Sequence, residues 1–131
     1  MTDFLCPLGD KTQRVAITFT EVLSYETFDD YGIVDDLLWF AIKDTHDPFL
    51  NRMMLIHAMI EQFLTSMKGI KAETIDEFDL AHPNSEEPGD EVDAPYRDEH
   101  SIAYAVERLL CAYLGIPWKV YEDRLARALE G

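Results

Sequence analysis

His57 and Glu61 stand four residues apart in the run Met53-Met54-Leu55-Ile56-His57-Ala58-Met59-Ile60-Glu61-Gln62-Phe63-Leu64, which is apolar on most of a helical circumference. Side chains at i and i+4 lie one above the other on one helical face, so an imidazole and a carboxylate converge in an apolar setting. A carboxylate buried there without a partner is costly or shifts its pKa, so Glu61 requires an answering group. The segment His100-x-x-x-Tyr104-x-x-Glu107 repeats the pattern on a second apolar helix. If the two helices pack antiparallel, His57, Glu61, His100 and Glu107 gather between them. Asp79, with Asp76 one turn before it, offers a further ligand or an acceptor for a histidine ring N–H. Two histidines and two carboxylates are ordinary ligands for zinc, manganese or ferrous iron, and helices packed in a bundle build such centres. The competing reading is structural: His57 and Glu61 satisfy each other at a helix–helix seam.

The pattern is only half of a zinc-hydrolase helix, in which two histidines at i and i+4 enclose a glutamate next to the first. Here Ala58 fills that neighbouring place and Glu61 stands where the second histidine would be. The sequence holds no glycine-rich phosphate loop, no Gly-x-Ser-x-Gly nucleophile and no Cys/His pair at zinc-finger spacing. Asp76-x-x-Asp79 hints at a Mg²⁺-dependent nucleotide pyrophosphatase. The paired glutamates which that chemistry needs on a neighbouring helix are missing, and strands at the N-terminus do not suit it.

The positioning elements follow from period and punctuation. Residues 14–20 alternate apolar with small or polar side chains and predict a strand, and the apolar run 37–43 predicts another. The two are expected to pair antiparallel, with a third short strand near Tyr31–Val34. A sheet so small must lay one face on helices. Asp47 as N-cap and Pro48 in the first turn open a helix to Lys68, terminated by Gly69. A shorter helix covers Lys71 to Leu80, with Ile75 and Phe78 inward. From Pro95 the helical period returns: Ile102, Ala103, Ala105, Val106, Leu109, Leu110, Tyr113 and Leu114 give a broad apolar face, closed by Gly115. Pro117 begins a last helix, Trp118 to about Leu129, with Trp118, Tyr121, Leu125 and Leu129 on its inner side. The expected fold class is α+β, mainly helical: three to four helices on a small antiparallel sheet or hairpin. One domain spans 1–131, with 1–13 a loosely ordered terminus and 82–94 an exposed acidic loop.

At 131 residues the chain is long enough to bury a core, and its 15 aromatics exclude a disordered class. With no signal peptide or long apolar run, and with Cys6 and Cys111 far apart, it reads as a soluble protein of a reducing, cytoplasmic compartment. Cys111 reads as a small core hydrophobe. The charge is strongly acidic: 26 Asp+Glu against 11 Lys+Arg, net −15. Eleven carboxylates face a single base, Arg97, between Glu73 and Glu99. Such a field repels nucleic acid and membranes and attracts cations and basic proteins.

The ordered motifs also carry a resemblance. They run from Ala41-Ile42-Lys43-Asp44 through His57-x-x-x-Glu61, Lys68-Gly69-Ile70 and Ile75-Asp76-x-Phe78-Asp79. They continue with Glu87-Pro88-Gly89-Asp90, Ala94-Pro95-Tyr96-Arg97-x-Glu99-His100, Ala103-x-x-x-Glu107-Arg108 and Leu114-Gly115-Ile116-x-Trp118-x-x-Tyr121. Over roughly residues 37–125 the chain resembles a mostly uncharacterised family of small phage and prophage proteins, which usually carry His-Glu-x-x-Glu on the first helix. The resemblance implies a site at His57, Glu61, His100 and Glu107, in the cytoplasm of a bacterial host. It does not imply a chemistry, and Ala58 removes the side chain that a glutamate-base hydrolysis uses. Two functions are therefore expected. The first is a phage-type protein with a divalent-metal site between two helices, metallohydrolase-like or a catalytically degenerate relative. The alternative is an acidic interaction protein, a nucleic-acid mimic that inhibits a host nucleic-acid-binding enzyme.

Overall fold

The computed structural model describes residues 13–23, 27–85 and 88–130. Three strands, β1 (Arg14–Thr20), β2 (Asp29–Val34) and β3 (Leu37–Lys43), precede helices α1 (Pro48–Met67), α2 (Ala72–Ala81), α3 (Arg97–Leu114) and α4 (Trp118–Glu130). A 3₁₀ turn, Pro88–Asp90, lies between α2 and α3. The class is α+β and mainly helical. The expectation for residues 1–13 falls, Gln13 apart, outside the described residues, as do Cys6, Glu86, Glu87 and the side chain of Leu129.

The sheet order is β1-β3-β2, and the strand direction differs from expectation. β3 pairs antiparallel with β2 but parallel with β1. The cause is the tight turn at Asp35-Asp36, where both residues adopt positive φ (49° and 65°) as a two-residue hairpin requires. The hairpin occupies one edge of β3, so β1 must take the other. Residues 21–28 then cross two strand spacings, about 10 Å, over the end of β3. The chain therefore enters β2 running opposite to β1. The amide of Asp44 donates to the Thr20 carbonyl and that of Lys43 to the Phe28 carbonyl, closing that end of the sheet.

One sheet face, with Tyr31, Phe40 and Ile42, buries against Leu50, Met53, Met54 and Ala58 of α1. Asp47 caps α1 as expected, its carboxylate accepting from the amides of Phe49 and Leu50, and Gly69 follows the helix at φ 73°. α3 ends at Gly115 in the left-handed conformation. α1 and α3 pack side by side and antiparallel, bridged by contacts from His57–Glu107 at one end to Lys68–Glu99 at the other. Buried α3 residues are Glu99, His100, Ala103, Glu107 and Cys111. The apolar face expected of α3 is thus only partly inward, since Ile102, Leu109, Tyr113 and Leu114 are exposed. The 82–94 segment is also more tied down than a free loop: Gly89 and Ala94 are buried. No helix among the described residues is long and apolar enough to cross a membrane.

Candidate metal centre

α1 delivers His57 and Glu61 to the same spot because they are one turn apart, and α3 delivers His100 and Glu107 because they are two turns apart. All four residues are buried. Glu61 is the hub. Its Oε2 lies 3.1 Å from His57 Nε2 and 3.0 Å from His100 Nδ1, and its Oε1 accepts from the Tyr31 hydroxyl at 2.8 Å. His57 Nδ1 is hydrogen-bonded to Glu107 Oε1, and Glu107 Oε2 accepts from the Tyr121 hydroxyl at 2.7 Å. A polar chain therefore runs Tyr31–Glu61–His57–Glu107–Tyr121, from the sheet through α1 and α3 to α4. His100 branches from it, with Nε2 3.4 Å from Asp90 Oδ1 and the ring 5.0 Å from that of His57.

Burial pushes Glu61 toward the neutral form, but hydrogen bonds from His100 and His57 and their charge outweigh it and hold its carboxyl down at about 2. Burial likewise disfavours charge on His57, yet the bonds to Glu107 and Glu61 raise it well above the ordinary histidine range. The proton thus rests on His57 and the charge on Glu61. The Tyr31 and Tyr121 hydroxyls, buried beside carboxylates, are pushed up and stay protonated donors.

The donor atoms of His57, Glu61 and His100 lie within 4.8 Å of one another, close enough to hold a metal ion. Ligands about 2.0–2.1 Å from a tetrahedral ion are separated by about 3.3 Å. The two separations to Glu61 Oε2, 3.1 and 3.0 Å, sit near that value. With Nε2 on an ion, His57 would keep Nδ1–H on Glu107, the carboxylate–histidine–metal arrangement that fixes tautomer and ring orientation. Glu107 therefore stands behind His57, held in turn by Tyr121. Asp79 is placed elsewhere, on the cavity wall, where it accepts from the Tyr96 hydroxyl.

The group forms one wall of a cavity of about 240 Å³. Asp29, Asp30, Asp76 and Asp79 line it along with apolar Met54 and Ile75. Sequence reasoning missed Tyr31, Tyr121, Asp90 and Gly89. Tyr31 and Tyr121 lay in segments read correctly as a strand and an inward helix face, but nothing in the sequence shows where their hydroxyls point. A Cβ on Gly89 would meet His100 Cγ at 2.5 Å, so this residue must be small for His100 to reach Glu61. No protein-family model matches the chain, and neither the curated proteins nor the solved structures contain a match to it.

Proposed function

We propose that this chain binds one divalent cation through His57 Nε2, Glu61 and His100 Nδ1, and uses it for metal-assisted hydrolysis of a small substrate. The observation that carries the reading is the convergence of three buried donor atoms with a carboxylate already bonded to the rear nitrogen of one of them. Three protein ligands leave a fourth position for water, the pattern of catalytic rather than structural sites. The bound cation would lower the pKa of that water toward neutrality. Glu107 and Tyr121 orient His57, Tyr31 orients Glu61, and the cavity walls exclude bulk solvent. The lining aspartates favour a neutral or positively charged substrate and oppose phosphate esters. As the resemblance implies, the setting is the cytoplasm of a phage-infected bacterium.

Elemental analysis of the purified protein, dialysed and then loaded with zinc or manganese, tests the metal. One ion per chain is expected, lost in Glu61→Gln and His100→Ala and retained in Asp79→Asn. No stoichiometric ion before or after loading overturns the proposal.

A further inference from the structure

α1 and α3 both turn their polar side chains to the cavity: His57 and Glu61 from one, His100, Tyr104 and Glu107 from the other. In an antiparallel pair, residues half a turn away on each helix emerge together on the reverse side. On α1 these are Met59, Phe63 and Met67, spaced i, i+4, i+8. On α3 they are Ile102, Leu109 and Tyr113, with Val106 completing the spacing. The six are between 45% and 87% exposed. One flank of the helix pair is therefore a large apolar surface at helical period, facing away from the candidate site.

Charge sharpens its meaning. The chain carries 26 carboxylates, yet the only one on α1 is buried Glu61. Between Ile102 and Tyr113 of α3 the only one is buried Glu107. Of the bases, Arg108 lies over the Trp118 ring on the cavity side. Interface centres are depleted of charge and enriched in aromatic residues and methionine, as this face is. With about 200 Å² for each large side chain, the six expose on the order of 800 Å², the contribution of one partner to a standard interface.

We propose that this face is an isologous dimer interface, in which α1 and α3 of one chain pack on α1 and α3 of a second copy as a four-helix layer. The occupant follows from charge. A basic partner would seek the acidic surfaces, not the one face that lacks them. An anionic membrane repels a chain of net −15. A second copy meets the same uncharged face by symmetry and keeps its carboxylates at the rim. The two cavities then open on opposite sides of the assembly, so the interface forms without covering either site. Because the two copies repel at long range, salt strengthens the dimer by screening.

Sedimentation equilibrium of the full chain tests this. At roughly 100 µM the expected species has twice the chain mass, with a dissociation constant that falls as salt rises. Phe63→Glu and Leu109→Glu, both at exposed positions, should give folded monomers with unchanged circular dichroism. Phe63→Ala should weaken association by about tenfold or more. Val92→Glu, exposed in the loop before α3, should remain dimeric. Should either glutamate variant lose its helical signal, Phe63→Ala decides, and unaltered association then overturns the proposal. So does a wild-type monomer across the range, or a dimer that survives both glutamate substitutions.

Discussion

Gly89→Ala probes the centre without touching any of its polar groups. The added Cβ would lie 2.5 Å from His100 Cγ, 2.7 Å from Nδ1 and 2.8 Å from Cδ2, where ordinary contacts begin at 3.4 Å. The ring or the turn must therefore yield by about 1 Å, and overpacking of this kind costs about 1–3 kcal/mol. The ring has little room, with His57 5.0 Å away on one side and Tyr96 and Tyr104 at 6.0 and 6.4 Å on others, centroid to centroid. A shift of that size takes the His100–Glu61 contact from 3.0 Å to about 4 Å, beyond any hydrogen bond. Leaving Glu61 a donor short adds about 1–3 kcal/mol. The expected total is about 2–4 kcal/mol in urea unfolding, together with at least a tenfold loss of zinc affinity by calorimetry, about 1.4 kcal/mol. Gly69→Ala is the control. It also sits at positive φ (73°) but has open space around its Cβ direction. It should lose about 1 kcal/mol to backbone strain and nothing in metal affinity. A Gly89→Ala protein as stable as wild type, binding zinc as tightly, would refute the account of the site.

Three other outcomes follow from the same geometry. Tyr121→Phe leaves Glu107 without one donor and should cost about 1–2 kcal/mol and about tenfold in metal affinity; a change in neither would show that Glu107 does not position His57. Glu61 is held at about 2 against an ordinary 4.5, so its contribution is present above pH 4.5 and lost as pH falls toward 2. His57 is raised, so its contribution is full below 6.5 and lost as pH rises through its elevated value. The stability gap between wild type and Glu61→Gln should therefore shrink below pH 4.5, and a constant gap down to pH 2.5 would sink the assignment. Asp47→Ala removes both the cap of α1 and the partner of Arg124, and should lower stability by about 1–2 kcal/mol; a loss no larger than that of Arg124→Ala would show the cap to be idle.

Local chemistry made α1 legible. Asp47, Pro48 and Gly69 punctuate it at both ends, and the i, i+4 spacing of His57 and Glu61 needs only a helix to become a shared face. The direction of β1 was not legible, because an alternating strand reads the same whichever way its neighbour runs. What decides it is the hairpin occupying the other edge of β3. On α3 the apolar period selects Ile102, Val106, Leu109 and Tyr113. The stripe that actually turns inward is Glu99, His100, Ala103, Glu107 and Cys111. Hydrophobicity marks what avoids water, whether in a core or against another chain, and a polar centre inverts the usual contrast. The role of Gly89 was hidden for a different reason: within Pro-Gly-Asp a glycine reads as a turn residue. Here it is needed for close approach by a ring eleven positions downstream.

Asp47 holds the first amides of α1 with one carboxylate oxygen and Arg124 with the other, at 2.7 and 2.6 Å. Tyr121, on the same last helix, supplies the final hydrogen bond of the buried chain. During synthesis, which proceeds from the N-terminus, the sheet and α1 emerge first, carrying Glu61 with only His57 and Tyr31 to answer it. Glu107 arrives later and stays incompletely satisfied until residue 121 clears the ribosome. The centre can therefore close only when nearly the whole chain has been made, and a message truncated before α4 would yield a protein with an open, hydrated core rather than a slightly shortened one.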